Sequence, residues 1–247
     1  KFQPLFPNLT LCIYHNYFVC TYHYYCKVME VESNVNLSMR EVNCKLGMFT
    51  RPDGSVFISQ GETAVIVGIY GPIEVKPHKI LINKASVETH YCPKSGMPGI
   101  ADKLCESILH NVCEAALASA LYPRSSIVII IQEMQNCGGI IPCAINACCL
   151  ALLNAGTDMK FLFASASCGL DDEGNFHLDP DDLFLETAAA SFIFVFDSIG
   201  KGLIASHTSG SFNLAQYQSA LELCKKAAEG IFDFYKSTIK KDLKDKI

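Results

Sequence analysis

Asn136-Cys137-Gly138-Gly139-Ile140-Ile141-Pro142-Cys143-Ala144 joins the two segments on which the fold turns. Before it, Ile127 to Met134 is an apolar, β-branched run of strand length. After it, Ala144 to Ala155 is apolar nearly all round, as a helix packed on both sides must be. A helix N-terminus behind glycines is a natural anion site, because its free N–H groups and its dipole point at whatever sits there. Such a site ordinarily adds a hydroxyl or a cation. Ile140, Ile141, Pro142 and Cys143 stand in those places, so the stretch predicts the backbone of a phosphate site without its side chains.

Working outward, Glu30 to Arg40 reads as a polar linker, Asn43 to Thr50 as a strand, and Arg51-Pro52-Asp53-Gly54 as a turn into a second strand, Ser55 to Ser59. Thr63 to Tyr70 is a buried strand that Gly71-Pro72 ends, and Ala85 to Tyr91 is a fourth. Leu104, Ile108, Leu109, Val112, Ala116, Leu117 and Leu121 recur at helical spacing, so a helix is expected from Ala101 to Leu121, stopped by Pro123. Beyond the glycine turn and its helix come strands at Phe161 to Ala166, Ala189 to Phe196 and Gly202 to His207, with a hairpin turn at Asp172-Glu173-Gly174-Asn175. Asn213 caps a long amphipathic C-terminal helix. The order β-β-β-β-α-β-α-β-β-β-α indicates an α+β fold, mixed sheets packed with buried helices in a single domain over residues 39–247.

With 50% apolar and 18% charged residues, the chain is globular rather than disordered. Its formal net charge of −5 excludes a free-standing, charge-driven nucleic-acid binder but leaves room for a local basic patch. The thirteen cysteines are odd in number and form no Cys-x-x-Cys pair. Cys105, Cys113, Cys148, Cys149 and Cys224 fall inside apolar periodic segments, so reduced, buried thiols in an intracellular compartment are expected, with no metal site. No apolar run is long enough to span a membrane. Lys1 to Tyr25 is aromatic but is interrupted by Pro7, Asn8, His15, Asn16 and His23, a poor secretory signal. Residues 1–38 are expected to be an extension that is disordered or not native, with Met29 or Met39 as the start, which would leave the Asn8-Leu9-Thr10 sequon without meaning.

Several motifs in register carry a resemblance. Arg51-Pro52-Asp53-Gly54-Ser55, Gln60-Gly61-Glu62-Thr63-Ala64-Val65, Gly68-Ile69-Tyr70-Gly71-Pro72, the Gly138-Gly139 turn with Asn146-Ala147-Cys148, and Leu178-Asp179-Pro180 together resemble the RNase PH-like family. The match runs from about Met39 to Tyr235, and within the family it is similar to the eukaryotic RNA exosome core-ring subunits. The resemblance implies an RNase PH-like fold. It also implies partners: other RNase PH-like ring subunits, in a heterodimer within a six-membered ring, exosome cap subunits, an associated nuclease, and single-stranded RNA in the channel, with no membrane. The implied location is the nucleus, including the nucleolus, and the cytoplasm.

Active relatives degrade RNA from its 3′ end with inorganic phosphate, which needs groups to hold phosphate, arginines to grip the RNA, and carboxylates. Their phosphate loop, Gly-Gly-Thr-Arg-Thr or close to it, corresponds here to Gly138-Gly139-Ile140-Ile141-Pro142. Their two catalytic aspartates fall on Leu185 and Ser191, and their arginine-rich helix face on Ser107, Asn111 and Glu114. The resemblance therefore implies a chain without phosphorolytic activity and without a cofactor. A divergent nuclease or phosphorylase with residual activity through Asp179, Asp181 or Asp182 is the competing reading, and a homodimeric RNA-binding protein outside any ring is a third.

Asp171, Asp172 and Glu173, then Asp179, Asp181 and Asp182, read as two solvated turns flanking a short strand rather than a divalent-metal site. His78, His90, His110, His177 and His207 are scattered without ligand spacing. In ring-forming relatives the loop similar to the one between the third and fourth strands points into the channel, which makes Lys76, His78 and Lys79 the RNA-channel candidates and Lys94 and Lys103 weaker ones. The apolar, cysteine-rich surface strands are expected to form subunit interface rather than a cofactor pocket.

Overall fold

The structure, a computed structural model, describes residues 39–245; the extension expected over 1–38 lies outside the described residues. Two sheets and two helical layers alternate. The first sheet has the order β1-β2-β3-β5-β4, from β1 (Val42–Leu46), β2 (Gly54–Gln60), β3 (Thr63–Glu74), β5 (Ser125–Gln135) and β4 (Ser86–Cys92). Its pairs are antiparallel except β4 with β5, the parallel pair that the crossover helix α1 (Ile100–Ala116) makes possible. The second sheet has the order β7-β6-β8-β9, from β7 (Phe176–Leu178), β6 (Phe163–Leu170), β8 (Ala190–Asp197) and β9 (Leu203–Gly210).

Helix α2 (Ile140–Ala155) lies between the sheets and packs against β2, β3 and β6. That sandwiched place explains why it carries no polar face: Cys143 to Leu152 are all buried. The long helix α4 (Leu214–Asp245) covers the far side of the second sheet, with Tyr217 standing edge-on to Phe194 at 5.2 Å between ring centroids. With α2 on one face and α4 on the other, β6 is buried at every position. The opposite, outer face of the first sheet has no helix over it among the described residues.

Element types agree with the sequence reading; several boundaries and two segments do not. Helix α2 begins at Ile140, not Ala144, so the supposed loop Ile140-Ile141-Pro142 is its first turn, a position proline tolerates. Strand β1 stops at Leu46 rather than Thr50. β3 continues past Gly71-Pro72 to Glu74 through an irregularity in its pairing with β5. Helix α1 ends at Ala116 rather than Leu121, because tertiary bonds capture the next three residues. Ala118 N–H donates to Asp158 O, Ala85 N–H donates to Ser119 O, and Leu117 bridges to Met159. The short strand expected between the two acidic turns is β7, although the predicted order left it out, and helix α3 (Asp182–Thr187) was not expected. Arg40 is not linker: its side chain is only 17% exposed and it holds the glycine turn in place.

Candidate functional site

The glycine turn is the junction of β5 and α2. Gly138 (φ 89°) and Gly139 (φ 67°) both adopt positive φ, and Gly139 is the N-cap of α2. A side chain at Gly138 would place its Cβ 2.5 Å from the backbone nitrogen of Asp182, so the turn and the start of α3 are packed backbone to backbone. Thr63, the first residue of β3, donates its hydroxyl to Gly138 O at 2.7 Å and accepts from Cys137 N–H at 3.2 Å.

Behind the turn sits an ion pair between residues 139 positions apart. Arg40 Nε donates to Asp179 Oδ2 at 2.8 Å and Nη2 to Oδ1 at 2.6 Å, a bidentate fork. The same guanidinium donates to Cys137 O (3.3 Å) and Gly138 O (3.2 Å), satisfying carbonyls that the positive-φ turn points away from any ladder. Asp181 Oδ1 lies 3.3 Å from Arg40 Nη1. The hydrogen bond to Asp179 raises the Arg40 pKa further above its ordinary value, so the guanidinium stays charged. Asp179 is therefore not part of a solvated acidic turn: its side chain is 2% exposed and its backbone takes φ 54°. The turn at Asp171, Asp172 and Glu173 matches the expectation, with Asp172 and Glu173 exposed.

In front of the turn is a cleft of about 150 Å³. It is lined by Gly138, Gly139, Ile140, Ile141 and Pro142 together with Leu185, Ser191 and Asp182. The fold thus gathers the residues that the resemblance placed at the phosphate loop and at the acidic pair, from three different elements. The N–H groups of Ile140 and Ile141, in the first turn of α2, have no helical carbonyl to bond to, and Pro142 has no N–H at all. What surrounds them is aliphatic: Ile140, Ile141, Leu185 and Ile193, with Phe192. Asp182 brings a carboxylate, and the buried Ser167 hydroxyl has no partner among the described residues. No arginine or lysine lines the cleft among the described residues. Cys143 sits in the first turns of α2, where a helix N-terminus would lower a thiol pKa. Burial wins and pushes it up to about 12, so the thiol is inert.

The remaining candidates lie elsewhere. Ser107 and Asn111 are on the exposed face of α1 and Glu114 is paired with Lys84 at 2.8 Å; none lines the cleft. Lys76 is exposed, and His78 lies in a 3-10 turn, Pro77–Lys79. Lys79 is not free, because its Nζ is 3.0 Å from Glu88 Oε2; Lys103 is likewise tied to Glu106 at 3.0 Å. No group of three or more His, Cys, Asp or Glu among the described residues is placed to hold a metal.

The bare outer face of the first sheet carries an apolar hollow. Ile66, Tyr70 and Ile130 line a shallow hollow of about 470 Å³ with Phe49 and Pro52 at its rim. No cysteine among the described residues lines it: Cys44 and Cys92 lie half-buried on the edge strands β1 and β4, while Cys113, Cys143, Cys148, Cys149, Cys168 and Cys224 are buried in the core.

The family model described as 3′ exoribonuclease family, domain 1 (RNase PH) matches residues 38–158. A protein named Exosome complex exonuclease RRP46 homolog from Arabidopsis thaliana is 30% identical over 215 residues, spanning 80% of this chain and 90% of its own length. The crystal structure of rice (Oryza sativa) Rrp46 superposes with a TM-score of 0.80 at 31% identity, covering 83% of this chain and 96% of that one. The structure titled Archaeal exosome core shares the fold at a TM-score of 0.70 and 14% identity, covering 81% of this chain and 88% of that one.

Proposed function

Because this chain belongs to the RNase PH family of 3′ exoribonucleases, we propose that it is a non-catalytic subunit of the RNA exosome ring. In this role it pairs with another RNase PH-like subunit, helps close a six-membered ring bearing cap subunits, and passes single-stranded RNA to an associated nuclease. Its relatives named as exosome components support ring membership, and the sequence resembles, among ring subunits, exosome component 5. The bare apolar sheet face around Ile66, Tyr70 and Ile130 supports a permanent neighbour, since a contiguous patch of that kind is costly to leave in water.

The observation that carries the non-catalytic reading is the lining of the cleft. The glycine turn keeps its backbone, while Ile140, Ile141 and Pro142 replace phosphate-holding groups and Leu185 and Ser191 replace the carboxylates. Aliphatic side chains cannot neutralise a phosphate or take up a proton. Asp182 is the observation in favour of the competing reading, because it is the carboxylate that lines the cleft; Asp179 cannot serve, being spent on Arg40. Incubation with a 3′-tailed RNA, phosphate and magnesium decides between them. No release of nucleoside diphosphates or monophosphates is expected, and release that Asp182→Asn abolishes would establish the enzyme instead.

In the assembled ring, Lys76, exposed and without an ion-pair partner among the described residues, tracks RNA phosphates, with His78 two residues on and Lys79 shared with Glu88. Lys76→Glu should weaken RNA protection by the ring while leaving assembly intact. Residence in nucleus, nucleolus and cytoplasm accords with the same reading, and fractionation with the endogenous complex tests it.

A further inference from the structure

A second cavity, of about 230 Å³, opens where α4 leans over the β1–β2 corner. Its walls are Met39, Val42, Ile58, Ile231 and Phe234, and its floor is formed by Asn146 and Tyr235. It shares no lining residue with the glycine-turn cleft, so it is a separate site.

Two features set it apart from a packing defect. Gln60 is only 3% exposed, yet its amide makes no hydrogen bond to any described residue. The amide is not among the fully enclosed unpartnered polar atoms, which are Ser126 Oγ and Ser167 Oγ, so it keeps its access through the cavity that it lines. The floor beneath is rigid: Asn146 Nδ2 donates to Ser165 O (3.0 Å), and Asn146 Oδ1 accepts from Ser165 N–H (2.8 Å) and Tyr235 O–H (3.0 Å). The other feature is Gly230, in the middle of the 32-residue α4. A Cβ there would meet nothing within 4 Å, so neither close packing nor positive φ calls for glycine. A helix-interior glycine is disfavoured by about 1 kcal/mol relative to alanine. Here it is exposed and lines the cavity, where a larger side chain has room to reach across it.

The chemistry of the lining defines the ligand. No charged side chain is among the lining residues, so the occupant is neutral. Cavities of about 150 Å³ accept a benzene ring, so this larger one has room for a fused bicycle. A carboxamide offers one donor and one acceptor side by side and matches a ring edge carrying the reciprocal pair, as in the pairing of glutamine with adenine. We propose that this cavity binds a neutral, planar heterocycle with an adjacent hydrogen-bond donor and acceptor, a nucleobase of the adenine type, held between aliphatic walls with its edge on Gln60.

The full chain is titrated with adenosine and, in parallel, with single-stranded oligo(A), and the methyl resonances of Met39, Val42, Ile58 and Ile231 are followed by NMR. Saturable shifts with adenosine alone identify a free nucleoside site; shifts only with the strand identify a base carried by RNA. Gly230→Phe should reach across the cavity and weaken binding at least tenfold while leaving the thermal midpoint unchanged or raised. Gln60→Leu should weaken adenosine at least fivefold but leave indene, a bicycle without a polar edge, bound as before. Absence of shifts with both ligands overturns the proposal, as does adenosine binding that survives Gly230→Phe or Gln60→Leu undiminished.

Discussion

The two sides of the Gly138–Gly139 turn have opposite characters. Behind it, Arg40, Thr63 and Asp179 form a dense polar clamp in which the carbonyls of Cys137 and Gly138 accept hydrogen bonds. In front of it, the cleft is aliphatic and lacks any cation among its described lining residues. The turn's shape is thus held from behind by groups that do not enter the cleft. The front can lose its chemistry without the backbone relaxing, which is how a phosphate-site scaffold persists with Ile140, Ile141 and Pro142 in it.

The largest test of that contrast is Arg40→Ala. It leaves the buried Asp179 without its fork and takes one hydrogen bond from each of two carbonyls, which keep only Thr63 Oγ1 and Asp182 N–H as donors. Removal of one partner of a buried pair costs about 3–5 kcal/mol, and at 17% and 2% side-chain exposure little solvent screening offsets it. Urea unfolding of the variant should show a loss of that order. A loss below about 1 kcal/mol would mean that the turn is held by something other than the clamp. Gly138→Ala comes next. Its Cβ would fall 2.5 Å from Asp182 N at a φ of 89°, and such overpacking and backbone strain cost about 1–3 kcal/mol. It should also loosen α3, detectable as faster amide exchange at Leu185 and Glu186.

On the front, Ile141→Arg should change stability by less than about 1 kcal/mol, since the side chain is half-buried and the cleft is open to water. Independence of the two faces predicts that its effect adds to that of Arg40→Ala within about 0.5 kcal/mol. A coupling well beyond that would show that front and back are one unit.

How much of this could be read in the sequence differs by element. Thr63 to Tyr70 announced its strand through β-branched residues, and the all-apolar α2 announced a helix packed on both sides. The start of α2 was missed because Gly-Gly with a proline shortly after it looks like continuing loop, although proline in a first helical turn breaks no hydrogen bond. The end of α1 was unreadable, since Leu117-Ala118 stays helix-compatible and only bonds to Asp158 and Met159 draw it away. Helix α3 spans six residues, too short for periodicity to register. The cleft was legible only through family likeness, which placed Leu185 and Ser191 beside the turn. Arg40 had no signal at all: it looked like the end of a polar linker, and its partner Asp179 lies 139 residues on. Spacing patterns report local periodicity and cannot encode such a pair.

Cys143 gives the smallest and most local reading of the contrast, because it lies between the two faces. Burial pushes its thiol up to about 12 from an ordinary 9.0, with the negative charge of Asp179 adding to the rise and Arg40 opposing it. A folded-state pKa raised above the unfolded one means that the stabilisation is complete below pH 9 and is lost as pH climbs toward 12. Cys149, fully buried and also raised to about 12, acts in the same direction. Urea midpoints should therefore fall steadily above pH 9, and a Cys143→Ala chain should lose part of that slope. At pH 8 a disulfide reagent should label Cys143 only through opening of the turn. Labelling should be slow in the native chain, unchanged by Ile141→Arg and faster in Arg40→Ala. Equal acceleration by both variants would place the hold on the turn in the cleft, and the clamp would not be what keeps this backbone in shape.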